Sequence, residues 1–242
     1  MGFTEAQVRP TSPGMSPPEP RQFRAQLVSS RPLSPTVRSL VLRAELDQPL
    51  AWAAGQYVEL ELEPGVRKPY SIASAMSARG PGEFEVAVSH EGEIETPWLT
   101  AWGPAGSMRR VPEEPAVFIA AGTGLSPFRA MIQDELVRTA DVPLLLLFGA
   151  RSERDLLWRD ELDALAASHA RFRFEPTLSQ PGAAWAARRG RVQAHFDKLV
   201  QPLVLVGAHV YVCGKNEMVE DCVKRLQAEH DVLPERLVIE AY

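Results

Sequence analysis

The sequence predicts two domains in series, an antiparallel β-barrel followed by an α/β domain built on a parallel sheet. Three observations carry this. Between Phe23 and about Val88 the chain offers short runs of alternating apolar and polar residues, broken by turn residues. Further on, the rhythm changes to apolar strands alternating with amphipathic helices, which implies a parallel sheet covered on both faces. Finally, 242 residues with 45% hydrophobic and 24% charged side chains are enough for one or two cored domains.

Taken in chain order, residues 1–21 carry Pro10, Pro13, Pro17, Pro18 and Pro20 with few large apolar residues, and a disordered tail is expected there. Residues 22–112 form the barrel. Strands are predicted over Val37–Leu42, Gln56–Leu62 and Glu83–Ser89, with Pro64-Gly65 and Pro81-Gly82 as the turns between them. The boundary is expected near Arg110–Glu114, and residues 113–242 form the α/β domain. Its first strand is Ala116–Ala120, followed by Gly122-Thr123-Gly124 and a helix opened by Pro127 and running to about Arg138. A strand at Leu144–Phe148, a helix at Leu157–Ala167, and strands at Phe172–Phe174 and Val210–Cys213 come next. A helix at Glu217–Glu229 and a strand at Leu237–Glu240 complete it.

Composition removes several functions. A net charge of −5 leaves no electrostatic footprint for nucleic acid or an anionic membrane. The longest apolar run, Val142–Phe148, is interrupted by Pro143, so no membrane insertion is expected. The N-terminus lacks the apolar core of a signal peptide, and a cytoplasmic location is expected. The two cysteines, Cys213 and Cys222, cannot ligate an iron–sulfur cluster, which takes about four ligands. No spaced Cys/His set suggests zinc or another metal. Any redox chemistry must come from an organic cofactor.

Four segments carry chemistry. Lys68-Pro69-Tyr70-Ser71-Ile72-Ala73-Ser74 puts a cation, a flat ring and two hydroxyls on one extended stretch, with Arg67 just upstream. These groups suit a pyrophosphate and a planar ring. Within Gly92-Glu93-Ile94-Glu95-Thr96-Pro97, a threonine N-cap before a proline predicts a helix start whose free N–H groups can hold a phosphate. Ala120-Ala121-Gly122-Thr123-Gly124-Leu125-Ser126-Pro127 is a glycine turn between strand and helix, where backbone can approach a pyrophosphate. Val212-Cys213-Gly214-Lys215-Asn216-Glu217-Met218 leaves a strand end, the edge where open α/β sheets bind ligands.

In this order, over residues 22–242, the segments resemble those of the ferredoxin–NADP reductase superfamily: a flavin signature, a Gly-Thr-Gly-x-x-Pro nucleotide motif, a Cys-Gly-x-x-x-Met segment and a final Glu-x-Tyr, here Glu240-Ala241-Tyr242. The resemblance implies an FAD-binding barrel, an NADP(H)-binding domain and hydride transfer between the two cofactors. Electrons would then pass singly to or from a separate carrier such as ferredoxin or flavodoxin. Reduction of free flavin or of a haem protein is the alternative, as is a redox-sensing or electron-input subunit of a larger complex. FMN is the alternative flavin, because Gly103-Pro104-Ala105-Gly106, where the family has a turn, follows Thr96 sooner than in the family.

Residue by residue, the flavin pyrophosphate falls to Lys68 or Arg67, since lysine stands where the family has arginine, and to Thr96. Pro69 and Ser74 complete the flavin segment. Tyr70 and Tyr242 would sandwich the flavin ring, Ser71 would bond near its hydride-accepting nitrogen, and Glu240 would relay a proton beside it. Gly122, Thr123, Gly124 and Pro127 would hold the dinucleotide, with Cys213, Gly214 and Met218 against the nicotinamide. An NADP 2′-phosphate needs cations. Arg151, Ser179 and Arg191 match the family's positions, Gln180 replaces one arginine, and Arg188 and Arg189 lie near enough in sequence to compensate. This favours NADPH over NADH.

Overall fold

The computed structural model describes residues 20–89, 94 and 96–242. The proline-rich segment 1–19 and most of Gly92–Glu95 lie outside the described residues.

The first half is a six-stranded antiparallel sheet: β1 (Gln22–Ser34), β2 (Val37–Glu45), β3 (Tyr57–Glu63), β4 (Val66–Ser71), β5 (Glu83–Ser89) and β6 (Trp98–Ala105). Its strand order is β4-β3-β6-β1-β2-β5. The two edge strands meet through an Ile72–Val86 bridge and the Ala73 N–H to Glu85 carbonyl bond, so the sheet curls into an incompletely closed barrel. Its interior is filled by Phe23, Leu40, Leu42, Val58, Leu60, Phe84 and Val86, the inward members of alternating strands.

The helix expected at Thr96-Pro97 is not formed. Trp98–Ala105 pairs instead with β1, Gln26 opposite Trp98 through Gln22 opposite Trp102, and the Leu27 N–H bonds the Pro97 carbonyl. The alternation of Leu99 and Ala101 into the barrel wins over the capping signal, and a proline is tolerated at a strand's start. Gly103-Pro104-Ala105 is likewise the end of β6, with Ala105 opposite Tyr57, rather than a turn.

The second half alternates β7 (Ala116–Ala121), α1 (Leu125–Leu136), β8 (Leu144–Ala150), α2 (Arg159–Ser168), β9 (Phe172–Leu178), β10 (Arg188–Arg189), α3 (Gln201–Val204), β11 (His209–Gly214), α4 (Asn216–Glu229) and β12 (Leu237–Ala241). The sheet is wholly parallel, in the order β10-β9-β8-β7-β11-β12. The chain therefore runs outward from β7 in one direction and returns to its other side, which makes a switch point between β7 and β11. A single turn at Gly122–Gly124 precedes α1, so the helix begins two residues before Pro127.

Alternation along the strands sends Val117, Ile119, Leu145, Leu147, Val210 and Val212 to one face, under α4. Phe118, Ala120, Leu146, Phe148, Tyr211 and Cys213 go to the other, under α1 and α2. That second cluster also takes in Val37, Ala73 and Ala87 from the barrel, so the two halves share buried surface. Among the described residues no helix is long and apolar enough to cross a membrane.

Candidate active site

The switch point brings distant parts of the sequence together. Gly124 sits so close to β11 that a Cβ there would lie 2.4 Å from the Cys213 carbonyl oxygen and 2.8 Å from the Gly214 nitrogen. Only glycine permits that approach, which fixes the Gly122–Gly124 turn beside the strand end. Gly122 itself is left-handed, with φ of 57°, a conformation that suits glycine.

On the far side, β12 pairs with β11 so that Glu240 lies opposite Cys213. Ser71, at the end of β4 in the barrel, donates a hydrogen bond to Glu240 Oε1 at 3.1 Å. Burial raises the Glu240 carboxyl above the ordinary carboxylate range, although the Ser71 bond works against it. Cys213 is 1% exposed, and burial, with the Glu240 charge adding to it, holds its thiol well above the usual cysteine value. A thiol so placed stays protonated and is a poor nucleophile.

Tyr242 is half-exposed, and its ring reaches back across the glycine turn. Its hydroxyl accepts hydrogen bonds from Thr123 Oγ1 (2.9 Å) and the Gly124 N–H (2.8 Å), and lies 3.3 Å from the Ala121 carbonyl oxygen as donor. Tyr70 is partly buried against the barrel core, which raises its phenol, with the nearby Glu63 charge adding to the shift. Strand alternation puts Lys68 and Tyr70 on one face of β4 and Arg67 on the other. Arg67 stacks on the Trp102 ring, 3.6 Å from its centroid, and lies 4.0 Å from Glu59. Lys68 has no hydrogen-bonded or ionic partner among the described residues.

Between barrel and sheet lies a cleft with a cavity volume of about 500 Å3, a size that suits a cofactor. Ser34 and Thr36 of the β1–β2 turn form one wall, and Gly122, Thr123 and Tyr242 the floor. Arg151, Ser179 and Arg191 line the end beyond β8, β9 and β10, and Met218 and Lys215 line the end beyond β11. The donor set fits a dinucleotide: a glycine turn at the start of a helix for the pyrophosphate, and cations at one end for a further phosphate.

Not every expected residue is brought there. Ser74 is wholly buried. Its hydroxyl accepts the Glu85 N–H at 3.1 Å and its carbonyl accepts the Trp52 indole N–H at 2.9 Å, so it closes the barrel instead of lining a cofactor surface. Pro127 is buried in the first turn of α1. Arg188 donates to Glu175 at 2.8 Å, and Arg189 to the Trp185 carbonyl at 2.8 Å, so both are spent on local contacts outside the cleft. Thr96 Oγ1 donates to the Trp98 carbonyl at 2.8 Å and caps no helix.

Sequence reasoning missed a buried charge cluster beside this site. Glu85 is 0% exposed and receives hydrogen bonds from Ser39, Arg79, Arg129 (3.0 Å) and the Trp158 indole (3.1 Å). Burial pushes its carboxyl upward, but Arg129, Ser39, Arg79 and Trp158 together outweigh that and leave it below the usual range. A glutamate inside the run Phe84–Val88 was the available signal.

Residues 118–224 match the Oxidoreductase NAD-binding domain family. The ferredoxin–NADP reductase B of Sorangium cellulosum (strain So ce56) is 39% identical over 239 residues, spanning 91% of this chain and 97% of that protein. The NAD(P)H-flavin reductase of Aliivibrio fischeri is 25% identical, over 91% of this chain and 98% of its own. Among solved structures, the Amycolatopsis cytochrome P450 reductase GcoB matches with a TM-score of 0.80 and 28% identity, over 92% of this chain and 70% of that one. The chain belongs to the ferredoxin–NADP reductase superfamily, whose oxidoreductases use FAD and NAD(P)H.

Proposed function

We propose that this protein is an NADP(H)-linked flavoprotein reductase that exchanges single electrons with a separate small carrier, a ferredoxin or flavodoxin. When bound, the two cofactors would supply the conversion between a hydride and single electrons. The chain's own residues bind, orient and shield. Lys68 and Tyr70, on one face of β4, take the flavin pyrophosphate and ring, and Arg67 is engaged with Trp102 on the other face. Ser71 and Glu240 meet at 3.1 Å and together offer a hydroxyl and a carboxyl whose burial raises its affinity for a proton, where barrel and sheet converge. Cys213, buried and protonated, packs there as a small wall that brings no competing nucleophile.

The observation that carries the preference for NADPH is the pair Arg151 and Arg191 beside Ser179 at one end of the cleft. Neither guanidinium has an ionic partner among the described residues, so a 2′-phosphate would meet cations that are not already neutralised. Anaerobic titration of the yellow protein with NADPH and NADH tests this directly. Arg191→Ala should weaken NADPH about tenfold to a hundredfold, the cost of about 1.5–3 kcal/mol for a charge-assisted contact, and leave NADH nearly unchanged. Equal losses for both dinucleotides, or a wild-type preference for NADH, would overturn the assignment. Rapid reduction of free flavin, with no electron transfer to a one-electron carrier, would favour a free-flavin reductase instead.

A further inference from the structure

We propose that Arg129, with Gln133, is a positioning residue for hydride transfer, because it ties the flavin-binding segment to the helix that starts at the nucleotide-binding turn. This rests on the reading of the chain as a flavin reductase. Helix α1 leaves the Gly122–Gly124 turn directly, and Arg129 and Gln133 project from the same face one turn apart. Arg129 Nη1 donates to the Ala73 carbonyl at 2.6 Å and to Glu85 Oε2 at 3.0 Å. Its Nε and Nη2 donate to the two oxygens of Glu161 on α2, at 2.9 and 2.8 Å. Gln133 donates to Glu161 Oε1 at 2.9 Å and accepts the Ala75 N–H at 2.9 Å.

Ala73 and Ala75 follow almost immediately on Ser71, whose hydroxyl meets Glu240. The segment is therefore gripped at both ends: by β12 at Ser71, and by α1 two to four residues later. Only Ile72, itself bridged to Val86, separates Ser71 from Ala73, so a shift of α1 is transmitted to Ser71 and to anything stacked beside it.

Stability alone does not call for such a device. Burying Arg129, 4% exposed, with Glu85 removes charges from water at a cost that apolar side chains of similar volume would not incur. What the fork adds is geometry. Four hydrogen bonds from one planar group reach a barrel carbonyl, a barrel carboxylate and a helix carboxylate at once, whereas a lysine offers a point charge. Arg129 touches neither cofactor surface and acts through Ala73.

The test compares wild type with Arg129→Lys and Glu161→Gln in anaerobic stopped-flow reduction by NADPH. Flavin content, KM and the exchange rate of the Ala75 amide are read on the same samples. Arg129→Lys should keep its flavin and its KM while kcat falls about tenfold to a hundredfold, the range expected for a misplacement of about 1 Å. The long-wavelength absorbance of the stacked cofactor pair should weaken, and the Ala75 amide should exchange faster. Glu161→Gln, at a half-exposed position on α2, should do the same to a smaller degree and serves if Arg129→Lys fails to fold. Faster Ala75 exchange with unchanged kcat would overturn the inference, as would a kcat loss matched by an equal loss of flavin. A wild-type protein that NADPH does not reduce would end the functional reading itself, and is visible before any variant is compared.

Discussion

Two regions along the boundary between barrel and sheet treat positive charge in opposite ways. At the seam between barrel and sheet, Arg129 is shut away from water and matched by Glu85 and Glu161, and Arg79 adds a second cation to Glu85. In the cleft, Arg151, Arg191 and Lys215 stand in contact with solvent, with no carboxylate bonded to them among the described residues. The difference separates two uses of the same side chain. A cation that is desolvated and paired holds parts of a protein at fixed positions. One left hydrated and unpaired is available to an anion that arrives later.

The strongest way to break the seam is to remove its central carboxylate. Glu85→Leu would leave Arg129 paired with Glu161 alone and take the acceptor from Ser39, Arg79 and the Trp158 indole, and should cost about 3–5 kcal/mol in chemical denaturation. A loss below about 1 kcal/mol would show that the cluster relaxes or hydrates easily. The milder Glu85→Gln has a signature in pH. Because the folded protein holds Glu85 below the ordinary carboxylate range, its stabilising contribution is full above that range. It drains away as pH falls through the lowered value. The acid limb of stability against pH should therefore be flatter in Glu85→Gln than in wild type.

Next in size is Gly124→Ala, which would drive a methyl group against the Cys213 carbonyl. Overpacking of this kind costs about 1–3 kcal/mol, and the turn should move off β11 and bind both dinucleotides less well. Unchanged stability together with unchanged binding would mean that the close approach is dispensable. Salt then sharpens the comparison without a mutation. Raising ionic strength should weaken NADPH binding, because the cleft cations are screened, and should leave the unfolding free energy nearly constant, because the seam is not. Parallel losses in both measurements would erase the distinction. The smallest effect is expected from Tyr242→Phe, which deletes a hydroxyl bonded to Thr123 and Gly124. It should cost about 0.5–1.5 kcal/mol in thermal or chemical stability. A larger loss would make Tyr242 a structural fastener of the glycine turn.

Much of the fold was legible because periodicity reports it. The runs at Val37, Glu83, Ala116 and Leu144 became strands, and the amphipathic stretch at Glu217 became α4. Local signals failed where a distant partner outvoted them. Thr96-Pro97 has the look of a helix start, yet the residues after it find β1 waiting for a sixth strand. The same limit applies to the site. Ser71, Cys213 and Glu240 could be named because each sits in a recognisable run. That Ser74 turns inward, that Arg188 is taken by Glu175, and that Arg129 reaches Ala73 are matters of which side chains meet across the fold. No single segment encodes them.

The buried cluster that joins Val37, Ala73 and Ala87 of the barrel to Phe118, Phe128 and Trp158 of the α/β domain has a consequence for any attempt to recombine this protein. Cutting the chain between β6 and β7 and grafting either half onto a foreign partner would expose part of that cluster. The foreign half would have to present a matching surface. A working chimera would therefore need its crossover drawn around the seam rather than through the linker, carrying Val37, Ala73, Glu85 and Arg129 as one inherited block. Heated slowly, the parent protein should give a single calorimetric peak, the two sheets failing together.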